Sequence, residues 1–246
     1  MNTTTIPAAE TLDHVAPDSL KGIPRQQTNP GRWSGESWDA FTEALRSQDI
    51  EVREQKQTCR VYATDSGGLA TGMPHGVALA RSAGQIAAIL KQAQINRVPV
   101  TVKGGGLTTE GESVAFGGLQ LDMRGMNKVI SVDNVNMTVR TQGGAYWHTL
   151  AETLRREGLD YLSAPLNLTA SVGGTLSVGG IDINSPRLGC SADQAVSLQV
   201  VTPTGEIKEC SESVNSDLFE RNLLGYGQFG VITEAVLRVR KFTPIT

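Results

Sequence analysis

The 246-residue chain is 39% hydrophobic and 19% charged, enough to bury a core as one large domain or two small lobes. Its 22 basic residues are scattered and its formal net charge is −3, so the basic patch of a nucleic-acid binder is missing. No run approaches about 18 consecutive apolar residues and the N-terminus lacks a basic n-region and an apolar h-region, so no membrane span and no secretory leader is expected, and the location is expected to be cytoplasmic.

Residues 1–33 carry Thr, Pro, Asp and Asn without periodicity and are expected to form a flexible N-terminal arm. From Trp38 the residues Trp38, Phe41 and Leu45 recur at helical spacing. A second helix is predicted to open at Ser82, where Gln85 completes a capping-box spacing, and to run to about Asn96 with Ile86, Ile89, Leu90 and Ala93 on its inner face. The run RVPVTVK is β-prone and leads straight into Gly104, Gly105 and Gly106, so this glycine loop follows a strand. LQLDM, KVISVD and MTVRT follow as strands, parted by the turn formers Arg124-Gly125 and Asp133-Asn134.

A helix is predicted from about Ala145 to Glu157, with Trp147, Leu150 and Leu154 on one face and Gly158 as its C-cap. A second glycine cluster, SVGGTLSVGG over residues 171–180, leads into an irregular segment. The strands AVSLQVVT and EIKEC then flank the turn Thr202-Pro203-Thr204-Gly205, a helix falls near residues 215–224, and VITEAVLRVR closes as a strand. Strands outnumber helices and interleave with them, so the class is α+β, with lobe one at about residues 34–100 and lobe two at about 101–246.

Glycine admits positive φ and lets a ligand approach peptide N–H groups with no Cβ in the way, and successive N–H groups form an anion nest. Phosphate is the natural guest. The Rossmann fingerprint requires GxGxxG opening a helix, and here Gly104-Gly105-Gly106 is followed by Leu-Thr-Thr and more strand. The Walker pattern fails because no GK[ST] closes the loop. Each cluster taken alone reads equally as a tight turn.

Together the clusters carry a resemblance. The passage MPHGVALARSAGQIAAILKQAQINRVPVTVKGGG, the segment SVGGTLSVGGIDINSPRLGCSADQAVSLQVVTPTGEI and the tail LLGYGQFGVITEAVLRVR, in this order, resemble the flavoprotein superfamily of vanillyl-alcohol oxidase and p-cresol methylhydroxylase from about Trp38 to Arg240. The GYGQFG tail is most similar to that of cytokinin dehydrogenases. The resemblance implies a two-lobed α+β FAD-binding domain of the PCMH type. It implies that the first loop, Lys103, Gly104, Gly105, Gly106, Leu107, Thr108 and Thr109, wraps the FAD pyrophosphate. It also implies flavin contacts from Thr169, Gly173, Gly174, Thr175, Ser177 and Gly180, and an adenine contact through the backbone of Ile232.

The chain departs from the family in three places. Leu107 stands where many members carry the histidine bonded covalently to the flavin, and Thr169 lies where others place a cysteine tether, so FAD is expected to be held non-covalently. The family's cap domain, which supplies most of the substrate pocket, has no counterpart before Thr246, so a homodimer or a separate substrate-domain subunit is expected to complete the site. The segment from Pro165 to Val172 holds Asn167 but no acid, so no catalytic base is assigned. The implied function is that of an FAD-linked oxidase or dehydrogenase that removes hydride from a small organic substrate. The alternative is a non-redox protein that reuses the fold as a ligand-binding scaffold or for a rearrangement.

Other side chains invite roles. Asp182 and Asn184 would pass near the flavin ring, Arg187 could place a cation there, and Asp193 matches an acid that supports the loop in the family. His148 beside Trp147 reads as structural and His75 as a loop residue, while His14 lies in the arm. Three dispersed histidines and the cysteines Cys59, Cys190 and Cys210, without CxxC spacing, suggest reduced thiols and no metal site.

Overall fold

The computed structural model describes residues 34–243; the expected arm over residues 1–33, with His14, lies outside them. Two sheets organise the chain. The first is parallel, in the order β1 (Gly76–Leu79), β3 (Leu119–Asp122), β2 (Val100–Lys103). It is covered by α1 (Gly35–Arg46) and α3 (Ala83–Asn96). Ser34 caps α1 by accepting from the Ser37 N–H, and Ser82 caps α3 by accepting from the Gln85 N–H. Gln85 Oε1 in turn accepts from the Arg81 N–H at 3.0 Å, one residue upstream of the position a strict capping box uses. Trp38, Phe41, Leu45, Ile86, Ile89, Leu119 and Leu121 are the bulk of this lobe's buried core.

The second sheet is antiparallel, in the order β4 (Val129–Asp133), β5 (Thr138–Gln142), β9 (Val231–Lys241), β7 (Ala195–Val201), β8 (Ile207–Ser211), with β6 (Leu159–Tyr161) pairing to the far end of β9. One face alternates inward onto α4 (Trp147–Arg156), α5 (Val172–Val178) and α7 (Ser216–Asn222) around Trp147, Leu150, Leu154, Leu176 and Leu198. The outer face is polar, and there Arg140 donates to Glu234 at 2.6 Å. A five-residue helix, α2 (Lys56–Arg60), and a four-residue one, α6 (Ser185–Leu188), complete the described elements together with short 3₁₀ turns.

The change of sheet falls between Asp122 and Val129, not near residue 101. The reason is pairing: β2 is an edge strand of the parallel sheet because β3, which comes after the glycine loop, inserts between it and β1. The lobes are knitted at Gly143-Gly144. The Gly144 N–H donates to Met126 O at 2.9 Å, and a Cβ on Gly144 would run into Met123 O. The residues at the β7–β9 end, Val201 and Val231, pack into the first core. No helix among the described residues is long and apolar enough to cross a membrane.

α5 is a helix the glycine-rich sequence does not suggest. Two glycines lower its propensity, yet Ser171 caps it and Val172 and Leu176 are fully buried, so tertiary burial outweighs the propensity deficit.

Candidate functional site

A cavity of about 1320 Å³ opens between the lobes. That exceeds the roughly 300–1,000 Å³ of sites for drug-sized ligands and suits an extended dinucleotide. Its wall takes the edge of β2 and the loop Gly104 to Thr109 from one side, and Gly173, Gly174, Thr175, Ser177, Gly180 and Ile232 from the other. The sequence-derived positions therefore converge on one space, with two exceptions: Lys103 and Thr169 are not part of the wall.

Lys103 turns beneath the loop instead. Its ammonium donates to Thr64 O at 2.6 Å, and a Cβ on Gly106 would stand 2.8 Å from Lys103 Cε. Burial pushes the Lys103 pKa below its ordinary value, opposed chiefly by the nearby Asp65 carboxylate. Thr169 is exposed and its hydroxyl donates to Asn167 Oδ1 at 2.7 Å.

The glycines of the first loop are needed for protein contact as well as for ligand approach. A Cβ on Gly105 would stand 2.7 Å from Thr169 O, and one on Gly104 would collide with Ser171 Oγ. Ser171, which the sequence reading did not single out, is thus shared: it is buried, it caps α5, and the first loop folds over it. Gly106 adopts φ +70°, the left-handed region. The backbone N–H groups of Gly105, Gly106, Leu107, Thr108 and Thr109 donate to no acceptor among the described residues. Five successive donors without a protein acceptor, on residues that line the cavity, are available to an anion.

The second cluster differs. The Thr175 hydroxyl accepts the Trp147 indole N–H at 2.9 Å within the core, and the Ser177 hydroxyl donates to Gly173 O at 2.8 Å. Asp182 does not line the cavity; its carboxylate organises a loop by accepting from the Asn184 N–H at 2.8 Å and the Ala164 N–H at 3.3 Å. Asn184 and the exposed Arg187 are likewise outside the wall. Asp193 accepts from the Cys190 N–H at 2.7 Å, a local brace.

Side chains of Arg97, Glu112 and Tyr226 are the titratable groups of the wall among the described residues. Tyr226, flanked by glycines in GYGQFG, holds φ 51° while its N–H donates to Ser177 O at 2.9 Å. At the end of β3, Asp122 is buried against Arg124, which raises the guanidinium pKa, and accepts from the Tyr62 hydroxyl at 2.7 Å. Burial, then this bond, pushes the Tyr62 phenol up to about 12. Among the described residues no cluster of three or more His, Cys, Asp or Glu could hold a metal ion.

Comparison with known proteins gives these positions a context. A family model for the FAD binding domain matches residues 74–211. An uncharacterized oxidoreductase from the fasciation locus of Rhodococcoides fascians is 35% identical over 181 residues, 71% of this chain and 40% of the relative. Cytokinin dehydrogenase 3 of Arabidopsis thaliana is 30% identical over 86% of this chain and 40% of its own length. Glucooligosaccharide oxidase from Acremonium strictum, whose FAD is 6-S-cysteinyl and 8α-N1-histidyl, superposes with a TM-score of 0.72 at 26% identity over 82% of this chain and 43% of that one. The chain thus spans less than half the length of the relatives it matches.

Proposed function

The chain belongs to the FAD binding domain family, and from that premise we propose that it is the FAD-holding part of an oxidoreductase acting on a small organic molecule. The observation that carries this reading is the open run of N–H donors from Gly105 to Thr109 on the wall of a dinucleotide-sized cavity. A diphosphate needs such donors, and a neutral loop can give them without a counter-cation in contact. The wall fits FAD: residues 105–109 would hold the diphosphate, the Ile232 backbone the adenine, and the segment from Gly173 to Gly180 the flavin side. Bound there, FAD would supply an acceptor for two electrons delivered as one hydride.

The chain's own part is binding, orientation and exclusion of water. Val100, Val102, Val178 and Leu107 give the wall apolar surface that excludes water from the bound cofactor. Leu107 offers no nucleophile and Thr169 no thiol, so attachment is non-covalent. The Gly173–Gly180 segment itself presents no carboxylate or imidazole, and a second copy or a partner subunit would complete the substrate side of the site.

The test is the visible spectrum of the purified protein, followed by acid precipitation. Yellow protein that releases its flavin into the supernatant is the expected result. Colourless protein that also takes up no added FAD would overturn the reading, and flavin left in the pellet would overturn non-covalent attachment.

A further inference from the structure

One buried carboxylate lies outside the cavity wall. Asp65 is 8% exposed, and its two oxygens accept four hydrogen bonds. Oδ1 takes the N–H groups of Gly67 and Gly68, each at 3.2 Å. Oδ2 takes the Gly111 N–H at 2.8 Å and the Thr108 hydroxyl at 2.9 Å. A single side chain thereby ties the segment 64–68 to the glycine loop more than forty positions away.

The tie is reinforced on both sides. The Ser66 N–H donates to Gly106 O at 3.0 Å and the Gly67 N–H to Thr108 O at 3.2 Å. The Thr108 hydroxyl also lies 2.6 Å from Ser113 Oγ, and Lys103 donates to Thr64 O, the residue before Asp65. The pattern sorts donors. Groups flanking the loop, at residues 66, 67, 68 and 111, are spent on protein acceptors, while those at 105–109 are left open. An unbraced glycine triplet has far more conformations than the one seen here, and fixing them costs entropy that binding must otherwise supply.

We propose that Asp65 is a positioning residue that preforms the loop from Gly105 to Thr109 for a diphosphate, acting through Thr108 and Gly111, with Lys103 beneath the loop as its counter-charge. This rests on the FAD reading above. A carboxylate near an anion site is tolerated because its charge is taken up by four donors and by the buried ammonium.

The test compares the full chain with Asp65→Asn, which keeps the shape and removes the charge and one acceptor face, and with the milder Thr108→Val, which serves if Asp65→Asn does not fold. Hydrogen exchange of the apoprotein is expected to quicken at residues 66, 67, 68 and 111, whose N–H groups are bonded, while β9 keeps its protection. FAD and ADP, titrated well below the unfolding midpoint, are expected to bind about tenfold more weakly, since apparent affinity scales with the fraction of loop in the competent form. Riboflavin, without a diphosphate, is expected to lose nothing. Unchanged exchange at residues 66–68 and 111, or a loss of protection spread evenly over the chain with FAD affinity intact, would overturn the proposal. If the unsubstituted protein binds neither FAD nor ADP, the FAD reading and the ligand part fall, and the exchange result still decides the positioning part.

Discussion

Between Gly105 and Thr109 five successive backbone N–H groups find no acceptor among the described residues, whereas between Val172 and Thr175 every one does. Val172 donates to Ala145 O, Gly173 to Gly143 O, Gly174 to Ser171 Oγ and Thr175 to Ser171 O. The surroundings differ too. The first loop stands on ionic ground, with Lys103 beneath it and Asp122, Arg124 and Tyr62 at the neighbouring strand end. The second cluster sits on the neutral core of the larger sheet, against Trp147 and Leu176. Two glycine clusters of similar composition thus serve different needs: one keeps donors open, the other lets a short helix pack closely on a turn of backbone.

The contrast should show most strongly in a matched pair of substitutions. Gly105→Val would press a β-branched side chain on Thr169 O, 2.7 Å from the new Cβ, and displace the loop. FAD retention after gel filtration should fall by about a hundredfold in affinity, equivalent to about 3 kcal/mol. Gly173→Val meets Gly143 O at 3.0 Å inside the fold, so it should cost about 1–3 kcal/mol of stability in urea unfolding, with a smaller loss of FAD affinity than Gly105→Val. If Gly173→Val cost as much affinity as Gly105→Val, the division of labour between the clusters would be wrong.

A smaller effect is expected from Trp147→Phe, which removes the buried 2.9 Å bond to Thr175 and should cost about 1 kcal/mol in urea unfolding, without moving flavin release by acid. The smallest is an alkaline one. Tyr62 is raised to about 12 by burial and its bond to Asp122, whereas an unfolded phenol ionises near 10. Its contribution is complete below about pH 10; between about 10 and 12 the unfolded state holds fewer protons, so stability falls as pH rises. Cys210, raised to about 11 by burial in the second core, acts in the same direction. Tyr62→Phe should flatten only part of that decline, read as the difference in urea midpoint between about pH 9 and pH 11. No flattening would mean that the ionic ground beside the first loop gives way no earlier than the second core.

What the sequence by itself determined is local. Periodicity placed α1, α3 and α4, the strand entering the glycine loop and the long closing strand, because apolar residues at helical or alternating spacing leave few other ways to be buried. The glycines marked where backbone would be open, and the ordered motifs marked the family. Tertiary structure decided the rest. Strand order put β3 between β1 and β2 and so moved the lobe boundary past residue 122, since pairing partners across a parallel sheet leave no trace in either strand's own pattern. It turned Lys103 away from the cavity, spent Thr175 on Trp147 and enlisted Ser171 and Asp65, none of which adjacency in the chain announces. Thr-Asp-Ser-Gly-Gly at residues 64–68 did carry a signal, an Asp ahead of small residues whose N–H groups it can accept. Its reach to Thr108 and Gly111 was fixed only when folding brought the two segments together, because hydrogen bonds are short-ranged and chain distance says nothing about which donors will arrive within 3 Å.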